Sequence, residues 1–209
     1  MRPRAEADTP SSLLGDLQTH GLRSPFKARM SNPTTPVPDV KREWARLMAR
    51  LRRRGIEHTC QYALRLIQTD PYPLTFGRRL VEYLLRRANR ESADAAGRII
   101  EALERKGVTH PLLDELHSSW LWCIGKRRAA LSLAVRNAKR SQISYVVHHA
   151  GTLYRLMFKR TGSDYYRKKS LHYWRLAHIL VKREEQEEAK QEANQRGQRV
   201  TLPDKPRRH

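Results

Sequence analysis

The chain has 209 residues, with 42 Lys and Arg against 21 Asp and Glu, for a net charge of +21 at pH 7. Its 39% hydrophobic content is too high for a chain disordered throughout, and two cysteines, Cys60 and Cys123, are too few for a disulfide framework or a zinc site of their own. Ten glycines and eleven prolines exclude collagen-like or glycine-rich low complexity, leaving a basic globular protein of a reducing compartment.

Residues 1–38 hold Pro3, Pro10, Pro25, Pro33, Pro36 and Pro38. Proline removes backbone donors and disfavours helix at the residue before it, so this segment reads as a disordered arm. A short amphipathic turn is expected around Leu13, Leu14 and Leu17, and residues 31–38 read as the linker into the folded part. No apolar core of signal-peptide length opens the chain, and Glu6, Asp8 and Asp16 argue against a transit peptide. No stretch approaches the length of a bilayer-spanning helix, so the expected compartment is the cytoplasm.

Residues 39–181 read as helical throughout, rich in Leu, Ala and Arg and nearly free of period-2 alternation. Breaks are expected at Gly55, Asp70–Pro73, Asn89–Ser92, Gly107–Pro111, Gly125, Ser141–Ser144 and Thr161–Asp164. These define eight helices in four hairpins, with consecutive helices antiparallel. Residues 182–209 form a charged extension without an apolar stripe, expected to prolong the last helix and to end near Gly197.

The first hairpin sets Trp44, Leu47 and Leu51 on one face, then Gly55 at the turn, then small Cys60, Leu64 and Ile67, then Pro71 and Pro73. Equivalent small residues follow at Ala96, Ala130 and Ser170, where paired helices would approach closely. This order of large, small and proline positions resembles the tetratricopeptide repeat, a helix–turn–helix unit of about 34 residues. Lys41–Leu74 carries the resemblance best. The third hairpin follows through Gly125 and Ala130, the second lacks the turn glycine, and the fourth is too long for the repeat. The fold class expected is therefore all-α: four antiparallel helical hairpins stacked as a short tetratricopeptide-like α-solenoid, with an unrelated helical bundle as the alternative.

The resemblance implies a scaffold for partner proteins, with a concave groove lined by the first helix of each hairpin. Carried onto this chain, the groove positions are Arg42, Arg52, Arg53, Arg78, Asn89, Ser119 and Trp122, with Arg155 and Lys159 in the last hairpin. Ala45 and Ala49 occupy two positions where some members of the family grip a peptide carboxylate with Lys and Asn, so that clamp is not expected here.

Charge points to a second surface. Residues 111–181 hold thirteen basic residues against three acids. A surface of one sign attracts polyanions. The candidate polyanion-binding residues are Arg127, Arg128, Arg136, Lys139, Arg140, Arg167, Lys168 and Lys169. Nucleic-acid binding by stacking would also need free rings. Among Tyr154, Phe158, Tyr165, Tyr166 and Tyr173, only Tyr165 and Tyr166 are expected to be exposed.

Catalytic signatures are missing. No HExxH, phosphate-binding loop, dinucleotide fingerprint or nucleophile elbow occurs, and His117, His148, His149, His172 and His178 lack metal-ligand spacing. Cys60 and Cys123 both read as small buried thiols in apolar helices. The expected function is thus a non-catalytic scaffold, with no cofactor and no metal, that binds an acidic segment of a partner protein. The alternatives are a nucleic-acid binder, for RNA more than DNA, and an accessory repeat domain of a larger transferase system.

Overall fold

The computed structural model describes residues 40–70 and 73–200, with side-chain surroundings for 42–70 and 73–195. The expected arm at 1–38, its turn at Leu13–Leu17, Pro71 and the end of the chain from 201 lie outside the described residues. Among the described residues there are seven helices and no strand: α1 Val40–Thr69, α2 Pro73–Arg86, α3 Arg90–Arg105, α4 Pro111–Cys123, α5 Arg127–Arg140, α6 Ser144–Thr161 and α7 Asp164–Val200.

The expected eighth helix is the second arm of α1. Gly55 sits inside α1 with φ 78° and ψ −176°, outside helical geometry. Unbroken helix would set Glu43 and Tyr62 about 28 Å apart. Instead the Tyr62 hydroxyl donates to Glu43 at 3.4 Å, and the Arg50 guanidinium lies 4.1 Å from the Tyr62 ring centre. The two arms fold back on each other at one residue. Space around a Gly55 side chain is open, so the positive φ is what demands glycine there.

The other hairpins are α2–α3, α4–α5 and α6–α7, and every expected break other than Gly55 falls at a helix boundary. The second hairpin, which lacks a turn glycine, places Ala88 in the left-handed region instead, at φ 52°. Asn89 then caps α3, its side chain accepting from the Ser92 N–H at 2.8 Å. His110 caps α4 through Nδ1, with Pro111 following it as the first helical residue.

The hairpins stack into a short α-solenoid. α1 packs on α3, α2 on α4, α3 on α4 and α5 on α6, so each hairpin covers the next. The small residues Cys60, Ala96, Ala130 and Ser170 are all buried. Cys60 Sγ lies 3.7 Å from the Ala95 carbonyl oxygen, the close approach its size allows. Lys106 adds a tie between the first two hairpins, donating to the carbonyls of Ile67 at 2.6 Å, Gln68 at 3.2 Å and Asp70. These are the end carbonyls of α1, which lack intrahelical donors.

Two apolar cores result. One holds Leu47, Ile67, Leu80, Ile99, Leu103 and Leu116; the other holds Trp122, Ala134, Val147, Leu153, Tyr173 and Ala177. Fully burying a leucine such as Leu47 or Leu80 contributes roughly 2 kcal/mol. α4 supplies residues to both cores.

α7 crosses residue 182 without a break, as expected of the extension, and runs three residues past Gly197 to Val200. Two expectations change. The folded part reaches beyond 181, because the Glu184 carboxylate accepts from the backbone N–H and the hydroxyl of Ser144, both at 2.8 Å. Cys123 is exposed rather than buried, because α4 ends at this residue. Its thiol is still pushed up to about 11 by the apolar surroundings that partly desolvate it.

Candidate functional site

The nine expected groove residues are not gathered into one basic surface. Arg42, Arg52, Arg53 and Lys159 are exposed. Asn89 is spent on the α3 cap. Trp122 is buried in the second core, with the Arg127 guanidinium 6.0 Å from its ring. Arg155 lies 5.4 Å from the Trp174 ring, within the last hairpin. Arg78 donates through Nε to Glu82 at 2.7 Å and sits 5.1 Å from the Tyr145 ring. Burial opposes the Arg78 charge, and Glu82 together with Tyr145 and Glu115 more than offsets this, holding the guanidinium above its ordinary value.

Arg78 and Ser119 belong to a buried polar joint among α2, α4 and α6. Ser119 donates to Glu115 Oε1 at 3.2 Å, and His149 Nδ1 lies 3.4 Å from the same oxygen. Ser118 Oγ lies 2.8 Å from His149 Nε2. Serine, histidine and carboxylate thus follow in the order of a nucleophilic triad. The Ser118 hydroxyl has a second acceptor, the Glu115 carbonyl at 2.8 Å, and donation there makes His149 the donor from Nε2, with its lone pair on Nδ1. A general base needs that lone pair on the serine side. Ser118 is also 0% exposed, out of reach of any substrate.

Burial disfavours charge on both partners. It pushes the Glu115 carboxyl up to about 7, reinforced by Glu82, and brings His149 down to about 3, with His148 adding to the effect. Below about pH 7 a protonated Glu115 faces the Nδ1 side of His149. Tyr145 is raised by the Glu115 charge and by burial. No three His, Cys, Asp or Glu side chains converge as metal ligands among the described residues.

The expected polyanion residues divide sharply. Arg127 faces Trp122, Arg167 and Lys168 pair with Asp164 at 2.9 and 3.5 Å, and Lys169 lies 5.8 Å from the Tyr165 ring centre. The remaining four, Arg128, Arg136, Lys139 and Arg140, come together on the rim of a groove of about 570 Å³. The groove exists because α5 and α7 both pack on α6 and barely touch each other. Its floor is aliphatic, made by Leu131 and Val135 of α5 and Met157 of α6, and Tyr154 and Tyr166 close the side towards α7. No carboxylate lines it.

Ring faces near the groove are largely used. Tyr154 stacks on Tyr173 at 5.5 Å and meets Tyr166 at 6.2 Å and Tyr165 at 6.5 Å. Burial pushes the Tyr154 hydroxyl up to about 12. Tyr165 is 57% exposed, whereas Tyr166 is half-buried. Composition located the cations in the sequence; the aliphatic floor was missed, because Leu131 and Val135 read equally well as core.

No helix among the described residues is long and apolar enough to cross a membrane. No family model, no curated protein and no solved structure matches the chain significantly.

Proposed function

We propose that this chain is a non-catalytic, cytoplasmic helical-repeat adaptor that binds an acidic protein segment in the groove along α5. The observation that carries this reading is a rim of four cations over an aliphatic floor with no carboxylate to neutralise it. Carboxylates of an incoming segment would pair with Arg128, Arg136, Lys139 and Arg140, bidentately at the arginines. Its small or apolar side chains would cover Leu131, Val135 and Met157, which gives the site a preference beyond charge alone.

The stacked hairpins, with small residues at their close approaches, support kinship in design with tetratricopeptide scaffolds. The site departs from that pattern. It lies on α5, the second helix of its hairpin, and not on the first helices that line the family's concave face.

Exposed Tyr165 beside Lys169 favours a second reading, single-stranded RNA. It ranks lower because Tyr166 and Tyr173 both pack on Tyr154, which leaves few faces for bases.

Fluorescence anisotropy separates the two. A labelled peptide of alternating Glu and Leu and an oligouridylate of equal charge are titrated with the full chain at physiological salt. The peptide is expected to bind more tightly, and Arg136→Glu with Lys139→Glu to weaken it by at least about tenfold, as befits loss of charge-assisted contacts. Tighter RNA binding with a steep salt slope would replace the first reading by the second. Binding of neither would end both.

A further inference from the structure

We infer that the acidic segment held by this groove is the distal part of α7 from a second copy of the chain; this rests on reading the groove as an acidic-segment site.

The chain has one dense run of acid among its described residues. Between Glu184 and Glu192 it carries five glutamates and one lysine, on a protein otherwise strongly basic. Glu184 is committed to Ser144. Residues 185–195 are exposed, and α7 continues as helix to Val200. At 1.5 Å per residue the helix extends about 24 Å past Glu184. A surface helix usually covers something with one face, and this one is polar all round, the form of a helix that reaches towards a charged partner.

The spacing suits the groove. Glu185, Glu188 and Glu192 follow at intervals of three and four residues, so they share one face, with Ala189 among them. That row is about 10 Å long, and the cations from Arg128 to Lys139 extend about 16 Å along α5. Laid in the groove, the glutamates meet the rim while Ala189 lets the helix settle on Leu131, Val135 and Met157. A bulky residue in place of Ala189 would hold it off.

The same copy's extension does not serve. Tyr166, near the start of α7, lines one end of the groove, while Glu184 lies on Ser144, just after α5 finishes at Arg140. Beyond Glu184 the continuous helix runs on past that end of α5 and does not turn back along the groove. Two copies related by a twofold axis can each offer an extension and a groove, which closes the assembly as a dimer. The net charge of +21 opposes association at long range. At physiological salt that repulsion is largely screened beyond about 8 Å, and ion pairs partly buried in the groove are screened much less.

The test is the mass of the full chain in solution, by light scattering on a sizing column and by sedimentation equilibrium at physiological salt. The wild type is expected to form a concentration-dependent dimer. Reversing the extension (Glu185→Lys, Glu188→Lys, Glu192→Lys) is expected to weaken the dimer at least tenfold, and reversing the groove (Arg136→Glu, Lys139→Glu) to do the same. All five residues are exposed, so circular dichroism should stay that of the wild type. Mixing the two variants supplies one native pairing and one inverted pairing, and association should return. A wild type still monomeric at about 100 µM, an undiminished dimer after either reversal, or no recovery on mixing overturns the inference. If the wild type is monomeric but the Glu-Leu peptide still binds, only the inference fails; if the peptide also fails to bind, the proposed function falls with it.

Discussion

Gly151 on α6 lies directly under the indole of Trp174 on α7: a methyl group at Gly151 would fall 2.7 Å from Trp174 Nε1 and 3.3 Å from the Ser170 carbonyl oxygen. The indole is held from two sides. It is stacked on His148 with ring centres 6.0 Å apart, and the Arg155 guanidinium lies 5.4 Å from its ring. Gly151→Ala must therefore push α7 away from α6, and is expected to cost about 2 kcal/mol, in the range for an overpacked core. The midpoint of chemical denaturation reads this directly. Gly97→Ala, 2.9 Å from the Trp120 ring, should behave alike, since that indole is tied to the Ala93 carbonyl at 2.9 Å.

Ala88 offers the opposite change. Its φ of 52° is disfavoured for any residue with a Cβ, by about 1 kcal/mol. Ala88→Gly removes that strain and returns part of the gain as flexibility of the unfolded chain, so a net stabilisation of about 0.5 kcal/mol is expected. Ala88→Val should destabilise. A thermal melt in which glycine lowers the midpoint would contradict the assignment of strain to this turn.

Glu115 and His149 set the pH response. Glu115 is held at about 7 in the fold against 4.5 in the open chain, so the unfolded state releases its proton first. Stability therefore falls as pH rises from about 4.5 to 7, then levels off. His149, at about 3 against 6.5, acts in the other direction, and stability is lost as pH falls below 6.5. Glu115→Gln removes the first limb while keeping an acceptor for Ser119. At pH 8 it should be more stable than wild type, by at most about 3 kcal/mol, with the difference gone near pH 4.5. Denaturant titrations at the two pH values check this.

Glu184 caps a helix that is not its own. The N-cap residue of α6, Ile143, has no side-chain acceptor, and Glu184 reaches across from α7 to take both donors of Ser144. Glu184→Ala should cost about 1–2 kcal/mol, the scale of a lost cap with a charged acceptor. Ser144→Ala in the Glu184→Ala background should add little, because the shared bond is already gone. Additive losses would show that the two act independently.

Backbone punctuation was legible in the sequence, and coupling between distant positions was not. Gly55, Gly125 and Gly162 mark turns because their positive φ suits only glycine, and Cys60, Ala96, Ala130 and Ser170 mark close approaches because little else fits. Ala88 carries no such mark, since an alanine in the left-handed region looks like any helical alanine. Trp122 falls on the first helix of its hairpin and so reads as groove-lining, yet it lies where α4 turns into the second core. Glu115, Ser118 and His149 meet only after α6 stacks on α4, a register set by packing and not by local pattern. The basic groove follows the same rule. Its cations stand out in the sequence, but whether a carboxylate lies opposite them depends on α7, where Asp164 takes Arg167 and Lys168 and leaves α5 unmatched.

The division of α4 between two cores has a consequence for how the protein opens. Leu116 anchors its start in one core and Trp122 its end in the other, less than two turns of helix apart. Either half can then lose its packing while the other still grips part of α4, so local opening has a natural stopping place at this helix. Amide exchange should group the molecule into a first and a second unit with separate protection levels, and α4 should follow the slower of the two. A ligand clasped by the later hairpins would slow exchange on its own side first, leaving the earlier hairpins free to breathe.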